Sequence, residues 1–352
     1  MLNEIVQPVI SWYRQNKRIL PWRDQKNAYY TWVSEIMLQQ TRVEAVKPYF
    51  LRFIGELPDV KALAECPEEK LMKLWEGLGY YNRVRNMQSA AQVVVAEYGG
   101  VLPASYDELL ALKGIGSYTA GAIASIAYDI PVPAVDGNVL RVFSRITEDR
   151  QDIMKQSVRS QVEEKLLGIM PKDAPGDFNQ ALMELGAVVC VPNGPARCME
   201  CPVAALCKAY HHGTVDELPV KAPKKKRTIE NKTVLVIQDG ECTAIRKRPQ
   251  EGLLAGLYEL PNVEGHLSMD EALQKAKEMN LEPLHIEVLP EAKHIFSHIE
   301  WRMIGYRIHV SSLEERKEAP FIFIEKKQSE KQYAIPSAFR AYIKYMKEKP
   351  GK

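Results

Sequence analysis

The sequence predicts a mainly α N-terminal region joined through a short basic linker to a smaller C-terminal α+β domain. Three observations carry that prediction. Helical periodicity recurs up to about residue 210, as in Trp32-Val33, Ile36-Met37 and Gln40 and again in Leu71, Leu74, Trp75 and Leu78. Lys221–Arg227 then holds five basic residues in seven and nothing apolar larger than proline, the composition of a solvated tether or of a phosphate contact. Beyond it, alternating β patterning takes over. At 352 residues the chain has room for two domains of roughly 150 each.

Punctuation sets the elements of the first part. Pro58, Pro67, Pro103 and Pro133 fall between periodic stretches, and Gly79, Gly99-Gly100 and Gly114 read as stops. Ser105-Tyr106-Asp107-Glu108 is a capping box that opens a short helix to Leu112. In the second part Thr233–Ile237, Thr243–Ile245, His285–Leu289 and Met303–Val310 read as strands. An amphipathic helix over Ser268–Met279 interrupts them, and a last helix falls near Ser337–Met346. No repeat of 20–50 residues is present.

Composition excludes several classes. Hydrophobic residues make up 46% and charged residues 26%, ordinary for a globular chain and too apolar for disorder. No run approaches the roughly 18 apolar residues of a membrane span. The start carries Glu4 and lacks a basic n-region, so no secretory signal is read there and a cytoplasmic protein is expected, without a membrane partner. The net charge of +2 announces no polyanion. Residues 1–220 carry 23 Lys and Arg against 26 Asp and Glu, whereas 221–352 carry 24 against 19. Nucleic-acid binding by the first part therefore needs a local surface rather than bulk attraction.

Three motifs carry chemistry. Cys190, Cys198, Cys201 and Cys207 place four thiols within 18 residues, close enough to enclose one [4Fe–4S] cluster or one Zn²⁺; spacing leaves the two open. Leu112-Lys-Gly-Ile-Gly-Ser-Tyr-Thr119 reads as helix, glycine turn and helix. Gly114 and Gly116 grant backbone angles that other residues resist, and the amides from Ser117 onward can face an anion. Pro133-Ala-Val-Asp136-Gly-Asn138 sets one acid at a helix start, which by itself is most simply an N-cap.

The order of these three motifs resembles the endonuclease III superfamily of base-excision DNA glycosylases, and within it the adenine DNA glycosylase branch. The resemblance spans nearly the whole chain. It also rests on Leu20-Pro-Trp-Arg23, Ser34-Glu-Ile-Met-Leu-Gln-Gln-Thr41, Gly77-Leu-Gly-Tyr-Tyr81 and Phe296-Ser-His298. It implies a helix-hairpin-helix glycosylase region with an iron–sulfur loop, plus a Nudix-like α+β domain. The expected lobes are 1–28 with 136–215 for the cluster and 29–135 for the hairpin, then a linker over 216–232 and a lesion-reading domain over 233–352.

The resemblance also implies roles. Glu35 would protonate adenine N7 and then handle the water, while Asp136 would remain ionised and stabilise or capture the sugar carbon. Asn138 would support Asp136, and Tyr118 would orient that carboxylate and shield the intermediate. Tyr118 stands where strand-cutting relatives carry a lysine, so excision without strand cleavage follows. The four cysteines would hold a single [4Fe–4S] cluster. DNA would be met by Arg23, Leu38, Gln40, Thr41, Tyr80, Gly114, Gly116 and Ser117. Phe296, Ser297 and His298 would read the lesion, Ser297 by a hydrogen bond and Phe296 by stacking. The implied substrate is duplex DNA with adenine opposite 8-oxoguanine or guanine, bound by a monomer. In Asp270-Glu-Ala-Leu-Gln-Lys-Ala-Lys-Glu278 most of the carboxylates of a hydrolytic Nudix helix are missing, which implies recognition without hydrolysis. One departure stands out: seven residues, Val191–Arg197, separate the first two cysteines where the family has six, with Asn193-Gly194 the natural place for a bulge. The competing readings are a lyase of the thymine-glycol type and a silent damage sensor.

Overall fold

The computed structural model describes residues 2–223, 226–311, 321–325 and 332–346. They form two compact units. One holds residues 1–66 and 82–223, and the other 67–81 and 224–352.

The first unit is helical. Its helices are α1 (Val6–Asn16), α2 (Ala28–Leu38), α3 (Val43–Glu56) and α4 (Val60–Glu65), then, beyond α5 (Glu68–Leu74), which belongs to the second unit, α6 (Asn82–Tyr98). There follow α7 (Tyr106–Ala111), α8 (Ser117–Tyr128), α9 (Gly137–Thr147), α10 (Gln156–Leu167), α11 (Pro175–Val188) and α12 (Lys208–His211). Side chains cap several of them as the residue types dictate. Asn27, Asp59, Ser105 and Asp136 each accept a backbone N–H of the first turn of α2, α4, α7 and α9. One core joins α1, α9, α10 and α11 through Tyr13, Leu140, Phe143, Val162, Phe178 and Leu185, and Cys190, Cys201 and Leu206 pack against it. The cysteine loop is thus built onto a helical core rather than hung from it. Helix α2 is apolar nearly all round and buried from Thr31 to Met37, Glu35 included.

The second unit is a mixed sheet between two helical layers. Its strands are β1 (Thr228–Asp239), β2 (Cys242–Lys247), β3 (Tyr258–Glu259), β4 (Asn262–Glu264), β5 (Pro283–Ile295), β6 (Ile299–Val310) and β7 (Ile322–Glu325). The order is β3-β2-β1-β6-β5, with β4 beside β1 and β7 beside β2; among the described residues only β1 and β6 run parallel. Alternation along β1 sends Val234 and Val236 to a face covered by Phe339 and Tyr342, near α14 (Arg340–Ile343). Leu235 and Ile237 go to the face covered by Ala272 and Ala276 of α13 (Met269–Glu278).

Three expectations need correction. Strand β1 begins at Thr228, so 228–232, read as linker, is sheet; its polar residues alternate on a partly exposed ladder and mask the pattern. Residues up to Val220 are not tether either, because Val220 accepts the Ile153 N–H at 3.2 Å and Leu218 accepts Arg145 Nε at 2.9 Å. Residues 67–81, expected in the hairpin lobe, belong to the second unit. There Glu69 accepts the Tyr258 hydroxyl at 3.1 Å and Glu76 accepts the Ile335 N–H at 2.9 Å. The short strands β3, β4 and β7 carry too few residues to show a period.

Candidate active site and cysteine loop

Glu35 is 7% exposed, and burial pushes its carboxyl up to about 7. The Tyr118 hydroxyl donates to Glu35 Oε2 and pulls the other way, while the charge of Asp136 adds to the rise. Tyr118 was expected on Asp136. The structure gives its hydroxyl to Glu35, while Asp136 accepts the Val139 N–H on Oδ1 at 2.8 Å and Asn138 Nδ2 on Oδ2 at 2.6 Å. Burial pushes Asp136 up as well, opposed by those two bonds and by the Arg141 charge. Asp136 keeps some solvent exposure and has three stabilising partners that Glu35 lacks. Of the two acids, Asp136 is the one equipped to hold a charge.

Neighbours that the sequence did not announce hold this arrangement. Asn179 of α11 donates to Ser125 Oγ at 2.8 Å and to the Val132 carbonyl at 2.9 Å, and accepts the Ala134 N–H at 3.0 Å. That clamps the segment leading into Asp136. Gly121 of α8 lets the same segment come close, since a Cβ there would lie 2.2 Å from the Pro133 carbonyl oxygen. Arg141 donates to Asn138 Oδ1 at 2.9 Å and to the Cys190 carbonyl at 2.8 Å, tying the acid's partner to the cysteine loop. No periodicity marks such residues, because each works through partners far along the chain.

The remaining expected residues divide. Gly114 has φ +82°, and a Cβ there would lie 2.7 Å from the Asn86 Cβ, so glycine is required. Gly116 corrects the reading: its φ of −96° is open to any residue, and a Cβ would meet nothing within 4 Å. What its bareness leaves is a clear approach to the start of α8, where no side chain caps the helix. Ser117 donates instead to Glu163 at 3.0 Å. Arg23 is committed within the protein, its Nη2 2.9 Å from the buried Glu184 and its guanidinium over the Tyr13 ring, so it is not a free cation. Leu38 and Thr41 are half-buried at the end of α2, and Gln40 is exposed with φ +61°. Arg83 of α6 donates to the Ile36 and Gln39 carbonyls at 2.6 Å each, closing the helix end that sets this strained turn.

In the second unit Tyr80 also has a positive φ, +47°, and its hydroxyl lies 2.8 Å from Ser297 Oγ. Ser297 and His298 are exposed at the three-residue turn between β5 and β6, which the Phe296 N–H closes onto the Ile299 carbonyl at 2.8 Å. Phe296 is half-buried, its ring edge-on to Trp301 at 4.9 Å and to His294 at 4.6 Å. Glu271 of α13 is spent on a capping box with Ser268, and Glu278 pairs with Lys275 at 2.8 Å.

The four cysteines line one apolar cavity of about 20 Å³ with Val142, Arg145 and Leu185. Gly194 turns the extra residue of the loop at φ +77°, and the Arg197 N–H closes it onto the Val189 carbonyl at 3.0 Å. Burial, then the neighbouring sulfurs, pushes Cys201 up to about 12 and raises Cys198 and Cys207. Arg145 Nη1 lies 3.2 Å from Cys190 Sγ. Four soft donors around an apolar cavity, with Cys198, Cys201 and Cys207 made poorer thiolates by burial and then by neighbouring sulfurs, fit a site completed by a cationic centre. Among the described residues no three metal-type side chains are placed to hold a single ion. No helix among them is long and apolar enough to cross a membrane.

Comparison with known proteins matches two segments of the chain to families. Residues 33–168 match the family model of the HhH-GPD superfamily base excision DNA repair proteins, and 233–345 match the NUDIX domain. The chain is 35% identical to an adenine DNA glycosylase of Mus musculus over 87% of this chain and 70% of that protein. It is 34% identical to an adenine DNA glycosylase of Buchnera aphidicola subsp. Baizongia pistaciae over 83% of this chain and 82% of that one. In structure it is similar to a thermostable thymine-DNA glycosylase, with a TM-score of 0.52 and 25% identity over 60% of this chain and 97% of the other.

Proposed function

The chain belongs to the adenine DNA glycosylases of the HhH-GPD superfamily, and on that premise we propose that it excises adenine opposite 8-oxoguanine, and opposite guanine, without cutting the strand. The observation that carries the reading is the shared environment of two unlike acids: Glu35 held near neutrality by burial, Asp136 held by hydrogen bonds.

The target adenine leaves the stack and enters the pocket, at a cost of a few kcal/mol. Glu35, with a pKa of about 7, carries a proton for a good share of the time at neutral pH and donates it to adenine N7. The N-glycosidic bond breaks, its electron pair leaves with the base, and the positive charge that grows on the sugar carbon faces Asp136. As that charge appears, the ionised form of Asp136 is favoured further. Water then supplies the hydroxyl at the sugar carbon, and its proton returns to Glu35. Tyr118 has no amine with which to form an imine, and its hydroxyl fixes Glu35.

Cys190, Cys198, Cys201 and Cys207 would hold one [4Fe–4S] cluster, which when bound would brace the loop rather than enter the reaction. The bare start of α8 would meet backbone phosphate. Gln40 and Tyr80, in strained turns, would wedge the duplex, and Ser297 would read the oxidised base. Glu271 and Glu278 of α13 are engaged with their own helix, which supports recognition without Nudix hydrolysis.

A single-turnover assay on duplexes with adenine opposite 8-oxoguanine or guanine tests this, with borohydride added in a parallel reaction. Free adenine, an intact strand and no trapped imine are expected. A borohydride-trapped adduct, or no release from either duplex, would overturn it.

A further inference from the structure

We propose that Arg227, at the exit of the basic linker, and the cation pair Lys293–Arg302, in the stem of the β5–β6 hairpin, form a binding site for backbone phosphates of the DNA strand read at the Phe296–His298 turn. The proposal rests on the DNA-substrate reading above and adds a site to it.

Lys293 and Arg302 sit directly opposite each other in the antiparallel register of β5 and β6, two pairs below the turn. Like charges in that position repel and cost stability unless an anion lies over them. Both are exposed. The one acid at hand, Glu300, accepts only from Arg302 Nε, at 3.1 Å, and Lys293 has no ion-pair partner among the described residues. The linker delivers a third cation to the same place. The Thr228 N–H donates to the His298 carbonyl at 2.9 Å and Thr228 pairs with Ile299, so the exposed Arg227 enters beside the turn itself.

Strand alternation separates this surface from the support of the turn. His294, Trp301 and Glu230 occupy the other face, where Glu230 is held by Trp301 Nε1 at 2.8 Å and lies 3.6 Å from Lys232. That acid is therefore not available to neutralise the pair. On the cationic face Ile229 and Ile295 are 51% and 47% exposed. Isolated apolar side chains among cations suit a sugar–phosphate backbone, whose deoxyribose offers an apolar surface between its charges. Phosphate contacts position a protein without reading sequence, and here they would set the register in which Ser297 meets a base.

The test is a salt series, from about 50 to 200 mM, of duplex binding followed by fluorescence anisotropy. The duplexes carry 8-oxoguanine or guanine opposite a non-hydrolysable deoxyadenosine analogue. For the triple variant Arg227→Gln, Lys293→Gln, Arg302→Gln, the slope of log affinity against log salt should become shallower by roughly 2.7, at ~0.9 per cation. Affinity should fall by the same factor on both duplexes. Arg227→Lys with Arg302→Lys should keep the wild-type slope, because counterion release depends on charge. Lys277→Gln, on exposed α13, serves as the control that leaves it unchanged. An unchanged slope in the triple variant, or a loss confined to the 8-oxoguanine duplex, overturns the site. Failure of the wild type to release adenine would remove the functional reading instead, so the two failures are distinguishable.

Discussion

Glu35 is buried on a helix that is buried throughout from Thr31 to Met37, whereas Ser297 and His298 stand in solvent at the tip of a hairpin. The two regions ask different things of their scaffolds. The acid pocket changes what a side chain is, since burial turns an ordinary glutamate into a group that keeps its proton near pH 7. The turn fixes where its side chains stand, through the Phe296–Trp301 contact and the Thr228–His298 hydrogen bond. Loss of an acid should therefore abolish chemistry, whereas loss at the turn should blur selection.

The sharpest way to break that contrast is Asp136→Asn. Adenine release in single turnover should fall by at least ~10³-fold while duplex binding persists. Near-wild-type release would remove the distinction between the regions.

Glu35→Gln should also abolish release, and it carries a second signature in stability. A carboxyl whose folded pKa is raised to about 7 from 4.5 binds a proton that the unfolded chain gives up. Its burden therefore grows as pH rises from about 4.5 to 7 and is fully present above, at about 3 kcal/mol. The variant should have a higher Tm than the wild type at pH 8 and lose that advantage at pH 5. Equal differences at both pH values would show that Glu35 is not strained by burial.

Asn179→Ala tests whether the pocket depends on the clamp that positions Asp136. Removing it leaves the Ala134 N–H, the Val132 carbonyl and the Ser125 hydroxyl short of a partner. A loss of about 2–3 kcal/mol in urea unfolding is expected, with slower adenine release from the protein that remains folded. Unchanged release per folded molecule would make the clamp purely structural. Smallest is Ser297→Ala: one hydrogen bond at an exposed turn, worth roughly 1 kcal/mol. The preference for 8-oxoguanine over guanine should fall about fivefold to tenfold with the Tm unchanged, and an unaltered preference would place lesion reading elsewhere.

The same contrast explains what was legible in the chain. The cysteine loop, the Gly114 turn and the Asp136 cap are local in sequence, so residue type and spacing reveal them; the Phe296–His298 triplet drew notice only through the resemblance. Glu35 drew notice only through its motif, because a glutamate's burial depends on packing against distant helices. Asn179, Arg83 and Arg141 stayed silent for the same reason; they reach partners more than forty residues away, and nothing in their neighbours marks them. Arg23 was noticed only through the resemblance, and its bond to Glu184, 161 residues along the chain, has no local mark. The first residues of β1 were read as linker because a charged, half-exposed strand end has the composition of a tether.

The central claim is that a buried Glu35, tempered by Tyr118, is the acid. The pH profile of single-turnover adenine release, for the wild type and Tyr118→Phe, tests it most directly. The wild-type rate should fall as pH rises through about 7. The Tyr118 hydroxyl lowers the proton affinity of Glu35, so in the variant that fall should move to higher pH. An alkaline limb that stays in place when the hydroxyl is removed, or no limb near neutrality in the wild type, would contradict it.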